Sequence, residues 1–401
     1  MKIAMVSEHA SPLSPLGGVD AGGQNVHVGA LATNLAALGH DVEVFTRRTD
    51  GTSPDDVRFA ERVLVRHVPA GPAEPVSKDH LLPLIPEFTN HLRAQWQRTP
   101  PDVIHSHFWM SGLAALNARP TTTPLVHTYH ALGVVRQRHQ PDSGSLVAVR
   151  DRVERRILDE SDAIVATCTD EVRELGKIGG RGRQIDVVPC GVDVSMFHPF
   201  GACKSRTGLR RAVCVSRLVP RKGIADAIKA LAAVPATELI VIGGPQDSEL
   251  SNDDEYRRLV SLARAWGVHD RVRFTGGLPQ ADVAAWMRSA DVVIAVPWYE
   301  PFGIVPVEAM ACGKPVIGSA VGGLLDTVQP GETGILVRPR SPEELAAAWR
   351  SLLEDDARRI AMGRTAHVRA RRDFPWRVVA RRTLGTYERV LAHAHQLVRS
   401  S

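Results

Sequence analysis

Short apolar runs recur along the chain, spaced widely enough for a helix to lie between each pair. In the first half they cover residues 2–6, 42–46, 103–105, 125–127 and 163–166; in the second, 212–216, 239–242, 272–274, 292–296 and 316–318. Runs rich in Val and Ile with no polar alternation read as strands buried on both faces of a parallel sheet, and the amphipathic stretches between them as crossover helices. The pattern predicts a doubly wound α/β plan, laid down twice. From 188 to 210 prolines and glycines occur without periodicity, which predicts a linker between an N-terminal domain over 1–200 and a C-terminal domain over 201–374. Beyond the last strand, helices are predicted over about 342–353, 356–372 and 375–397, and 375–401 is set apart as a terminal helical segment.

Composition narrows the function classes. At 401 residues, 44% of them hydrophobic, the chain exceeds one ordinary core and can fill two. The net charge of +5 and a pI near 9.1 would suit an anionic partner, but 42 of the 49 basic residues are Arg, scattered among 44 acids. That describes a mildly basic surface with no nucleic-acid partner, and the densest basic stretch, Arg369 to Arg382, reads as a solvated helix face. The five cysteines are odd in number, widely spread and without a C-x-x-C pair, so free thiols in a reducing compartment are expected. The N-terminal run turns polar at Ser7-Glu8-His9, and no apolar run nears the ~18–20 residues of a membrane span, so a cytoplasmic location without membrane association is expected.

The richest segment is 298–323, where Glu300 and Glu308 straddle a predicted strand-to-helix turn. Pro306 suits the first turn of a helix that Gly313 ends. The turn at Pro301-Phe302-Gly303-Ile304 can present free backbone N–H groups, since the first amides of a helix lack internal partners. Such a turn suits a ligand with many hydroxyls and an anionic group; two solvated carboxylates at a helix start are the plainer alternative. Arg217 and Lys222 stand five apart after the 212–216 strand, where fixed cations can stabilise a leaving phosphate. Near the N-terminus, Gly17-Gly18 and Gly22-Gly23 precede a helix running to Leu38, either a flexible loop or a close approach to a ligand. Histidines at 105, 107, 127 and 130 end probable strands. A metal site is not expected there, because no acidic or cysteine partner lies at ligand spacing, and no D-x-D occurs where a metal-dependent transferase would need one.

These motifs resemble the retaining glycosyltransferases of family 4. Glu300 and Glu308 match their E-x7-E signature, Arg217 and Lys222 their R-x4-K pair, and the glycine loop is similar to that of D-inositol-3-phosphate glycosyltransferases and sucrose synthases. The resemblance implies a GT-B fold, two facing Rossmann-like domains with an interdomain cleft, whose final helix crosses back to the N-terminal domain. It implies sugar transfer, without cofactor, from a nucleotide-diphosphate sugar, UDP-linked by expectation, to a small polar acceptor. Glu300, Phe302, Gly303 and Ile304 would hold donor-sugar hydroxyls, Glu308 the ribose, Gly22 and Gly23 the diphosphate side of the donor, and His130 the sugar. Arg217 and Lys222 would take the diphosphate. Asn25, Lys78 and Arg150 match acceptor-site positions, but Phe108 and Ala131 stand where phosphate-accepting relatives carry a Tyr and a Thr. Two hydroxyl donors are thus absent, which points to an uncharged or aminated polyol. Rival readings are a D-inositol-3-phosphate glycosyltransferase, a nucleotide-sugar 2-epimerase, a sensor without turnover, and a lipid-carrier transferase at a membrane surface. A homodimer is left open.

Overall fold

The computed structural model describes residues 1–14, 22–140 and 146–400, with side chains to 396. Its contacts divide into two units: Met1–Pro189 together with Trp376–Ser401, and Cys190–Pro375. The chain therefore leaves unit 1 after Pro189, inside the Pro/Gly-rich stretch but earlier than the boundary at 200 expected from sequence. The reason is local. Val192 donates its N–H to the Phe374 carbonyl at 2.8 Å, and Val192 and Phe197 are buried in the core of unit 2, so residues after 190 already belong to it.

Unit 1 holds eight strands: β1 (Lys2–Val6), β2 (Asp41–Arg47), β3 (Asp56–Ala60), β4 (Val63–Val68), β5 (Val103–His107), β6 (Leu125–Thr128), β7 (Ala163–Ala166) and β8 (Ile185–Val187). Their order is β3-β4-β2-β1-β5-β6-β7-β8, and every neighbour pair is parallel except β3 with β4. The central strands are apolar because helices cover both faces: Ile3, Ala4, Met5 and Val6 are at most 2% exposed. The Trp376–Ser400 helix closes this unit, with Val379, Ala380, Thr383 and Tyr387 buried and Thr386 donating to the Asp186 carboxylate at 2.7 Å.

Unit 2 holds β9 (Arg210–Val215), β10 (Thr237–Ile242), β11 (Val272–Phe274), β12 (Val292–Ala295), β13 (Val316–Ser319) and β14 (Gly334–Val337), all parallel in the order β11-β10-β9-β12-β13-β14. Each unit is thus a Rossmann-like α/β layer structure with its own core. In both, the residues singled out from sequence sit after strand carboxyl ends: His130 beyond β6, Arg217 beyond β9 and Glu300 beyond β12. Open parallel sheets place ligand contacts there.

Candidate active site

In unit 2, β12 runs into the turn Val296 to Gly303 and then the Ile304–Ala311 helix. Gly303 adopts φ 81°, ψ 43°, a left-handed start that side chains resist. The turn is braced from two sides. Gly323 N–H donates to the Glu300 carbonyl at 2.8 Å, and Gly322 (φ 47°) lies so close that an added Cβ would stand 2.1 Å from the same oxygen. From the other side, Gly223 (φ 73°) fits under the Val296 carbonyl, where a Cβ would stand 1.9 Å away. These glycines let the segment after β9 approach the turn after β12.

That approach pairs Lys222 Nζ with the Glu300 carboxylate, both side chains less than a fifth exposed. Burial alone would push Glu300 up, but Lys222, Arg221 and the Phe302 N–H outweigh it and hold the carboxyl below its usual value. Two groups that the sequence assigns to opposite parts of a donor, diphosphate and sugar, thus meet each other. Arg217 is exposed, two residues past the carboxyl end of β9, and Arg221 stacks over the Tyr299 ring at 5.0 Å. Glu308 differs from Glu300 in every respect. It is 8% exposed, its carboxyl has no hydrogen-bond or ion-pair partner among the described residues, and burial pushes it up to about 7.

In unit 1, a pocket is lined by Lys78, Asp79, Phe108, Arg136, Arg150 and Asp151, with Gly133 and Gln137 between them. It brings together Lys78, Phe108 and Arg150 of the acceptor residues assigned from sequence; Asn25 and Ala131 are not in its lining. Asn25 instead braces the helix start, its Oδ1 accepting from Gly22 N–H at 3.1 Å and its Nδ2 donating to the Ser11 carbonyl at 2.9 Å. Gly22 is the residue before the Gly23–Ala37 helix, whereas the Gly17-Gly18 half of the predicted loop lies outside the described residues.

Arg150 does not stand free in that pocket. Its Nε donates to Glu154 Oε1 at 2.6 Å, its Nη2 donates to the Ala131 carbonyl, and its guanidinium lies 5.1 Å over the Phe108 ring. Glu154, 1% exposed, also accepts the Gly133 N–H at 2.9 and 3.1 Å. A Cβ at 133 would stand 3.0 Å from Arg150 Nε, so glycine makes room for the pair. Sequence reasoning missed Glu154. Its signal was the i,i+4 spacing from Arg150 on the Val147–Glu160 helix.

The histidines form a buried layer. Register pairs Ser106 with His127 and His107 with Thr128. Ser106 Oγ meets His127 Nδ1 at 2.8 Å on one face. On the other, His105 meets Tyr387 O–H at 2.7 Å and Thr128 Oγ1 at 2.9 Å, while His107 Nδ1 and His130 Nε2 lie 2.9 Å apart. Burial pulls His105, His107 and His130 well below the usual imidazole value, His27 to about 4 and His127 to about 3, so the layer is neutral at pH 7. Among the described residues no three His, Cys, Asp or Glu side chains are grouped as a metal site. Two residues here hold left-handed backbones without being glycine, His130 (φ 61°) and Phe108 (φ 78°, ψ 154°), and such strain gathers at functional sites. A second group went unread in the sequence: Glu8, fully buried, accepts from the Ser111 hydroxyl and lies 2.7 Å from His9 Nδ1, whose ring packs edge-on against Phe108.

Two family models match the chain: glycosyl transferases group 1 over residues 203–369 and Glycosyltransferase Family 4 over 21–196. A D-inositol 3-phosphate glycosyltransferase of Kineococcus radiotolerans is 37% identical over 97% of this chain and 95% of its own length. One from Corynebacterium glutamicum is 35% identical over 98% of each. Among solved structures, a sucrose-phosphate synthase from Thermosynechococcus elongatus superposes with a TM-score of 0.89 at 32% identity, covering 98% of this chain and 99% of its own. Anabaena Alr3699/HepE, solved with UDP and glucose, shares the fold at TM-score 0.74 and 22% identity, covering 97% and 99%.

Proposed function

Since the chain belongs to the retaining glycosyltransferases of family 4, we propose that it moves a sugar from a UDP-linked donor to an uncharged or aminated polyol rather than to a phosphorylated one. The single observation that carries the acceptor choice is the Arg150–Glu154 pair. Arg150, the residue that matches a phosphate-binding arginine, already has its charge matched by Glu154 and two of its donors occupied. Asp79 and Asp151 share the pocket lining with Lys78 and Arg136, and Asp151 is itself paired with Arg155 at 3.0 Å. Phe108 gives the guanidinium a ring face where a Tyr would give an acceptor a hydroxyl.

On the donor side, Lys222 and Arg217 would take the diphosphate. As the bond from the anomeric carbon to the β-phosphate oxygen breaks, the electron pair goes to that oxygen, and fixed cations stabilise the charge. A diphosphate that draws Lys222 toward itself frees the Glu300 carboxylate to accept hydroxyls of the donor sugar. Glu308 would accept the ribose hydroxyls, His130 would contact the donor sugar, and Asn25 would act through the loop it braces. The acceptor hydroxyl then attacks on the face the phosphate leaves, and its proton passes to the departing phosphate.

The test is a competition. The chain receives a UDP-hexose with D-inositol 3-phosphate, a neutral cyclitol and an aminocyclitol at equal concentration, and products are weighed by mass spectrometry. The neutral or aminated products should dominate. Two missing charge-assisted hydrogen bonds at roughly 1.5–3 kcal/mol each make phosphate recognition weaker by about two or more powers of ten. Restoring both hydroxyls in Phe108→Tyr with Ala131→Thr should move product toward the phosphorylated acceptor. A wild-type preference for D-inositol 3-phosphate would overturn the reading.

A further inference from the structure

Arg221 and Lys222 are neighbours on the single turn Pro220–Lys222, and Tyr299 and Glu300 are neighbours on the turn after β12. The two pairs face each other in order: Lys222 Nζ meets the Glu300 carboxylate, and the Arg221 guanidinium lies over the Tyr299 ring. Trp298 N–H donates to the Arg221 carbonyl at 2.8 Å, which ties the two segments together at the main chain. Around Glu300 the charges do not balance. Two cations serve one carboxylate, and Arg221 Nη1 is a buried donor with no hydrogen-bond partner among the described residues, a condition folded chains rarely leave in place.

We propose that Arg221 is a positioning residue for Glu300: its stacked guanidinium is a standing counter-charge that keeps the carboxylate ionised and in place once the donor diphosphate draws Lys222 away, which rests on the reading of Lys222 given above. With Lys222 turned to the diphosphate, one cation faces one carboxylate. The two side chains suit these roles. Lysine carries a point charge on a flexible stem, whereas a planar guanidinium on the face of a buried ring holds its place. Among the described residues no charged side chain other than Lys222 is paired with Glu300; its own turn supplies the Phe302 N–H, and the segment after β13 brings the Gly322–Gly323 backbone. Glu308 shows the alternative. It is buried with no ion-pair partner among the described residues, and burial raises it to about 7, where half the molecules hold a carboxylic acid. A Glu300 left alone in that way would be a weaker acceptor for sugar hydroxyls.

Lys222→Met imitates the departed lysine with no ligand present. Infrared spectra of the full chain, titrated with pH, separate a carboxylic acid from a carboxylate, and Glu300→Gln in the same background identifies the band. In Lys222→Met, Glu300 should stay ionised to well below neutrality, held by Arg221. Adding Arg221→Gln, which ends in a planar but uncharged N–H donor, should raise its midpoint to about 7, the value of Glu308. Equal midpoints in the single and double variants overturn the proposal, as does a midpoint already near neutrality in Lys222→Met. A second measurement leaves Lys222 in place. With the best acceptor of the competition above, kcat at saturating UDP-hexose reports ionisations in the bound complex, so relative to wild type it should fall about tenfold from pH 8 to pH 6 in Arg221→Gln and recover in Arg221→Lys. A residue that only packs on Tyr299 would lower kcat by the same factor at every pH. Such a parallel profile beside the expected infrared shift would leave the counter-charge standing and count against the withdrawal of Lys222 by the diphosphate.

Discussion

Burial brings the Glu308 carboxyl to the middle of its titration near neutral pH, at about 7. Its value is raised by folding, so its contribution to stability is fully present below the unfolded value of about 4.5 and is lost as pH rises through about 7, a swing of up to about 3 kcal/mol. Glu308→Gln should abolish that loss: urea unfolding at pH 8 should find the variant more stable than wild type, with the difference gone at pH 4. A ribose hydroxyl donates to a carboxylate better than to a carboxylic acid. Affinity for a nucleotide sugar, whose diphosphate has no proton to lose near neutrality, should therefore rise with pH through about 7 in wild type and stay flat in Glu308→Gln. Titration calorimetry reads both profiles, and two parallel slopes would remove Glu308 from the ribose site. Glu300 should behave otherwise, because Lys222 keeps it ionised over the same range.

At the scale of elements, the site depends on close passage between the segments that follow β9, β12 and β13. Gly322→Ala puts a Cβ against the Glu300 carbonyl in a left-handed backbone and should cost about 2–4 kcal/mol, whereas Gly267→Ala, also left-handed (φ 67°) but facing open space, should cost about 1 kcal/mol. Thermal unfolding of the two variants measures the difference. Central strands such as β1 and β12 were legible as unbroken apolar runs, since both faces are covered. The β3–β4 hairpin, β8 and β14 were not. β3 is half-exposed, β8 and β14 are short, and β3 and β8 lie at sheet edges, where one-sided packing removes the periodic signal. Site residues followed a similar division. Glu300 and Lys222 stood out by type and by strand end, but their mutual pairing joins positions 78 apart in the chain and no local pattern carries it. Glu154 was within reach, one helical turn from Arg150, and changes how Arg150 acts.

At the scale of the molecule, two cores with separate sheets predict two unfolding transitions. A UDP-sugar at a hundredfold its Kd should stabilise the transition of unit 2 by about 2.7 kcal/mol and move that of unit 1 less. Differential scanning calorimetry with and without the nucleotide checks this, and a shift confined to unit 1 would contradict the donor assignment. No helix among the described residues is long and apolar enough to cross a membrane. The composition of unit 1 has a consequence in time as well as in space. Its histidine layer is capped by Tyr387, which the ribosome adds after every residue of unit 2. During synthesis the later unit can therefore close first, while the earlier one waits with His105 and His27 uncovered for its final helix. A message interrupted between codons 376 and 387 would yield a chain whose second half is whole and whose first half is unfinished.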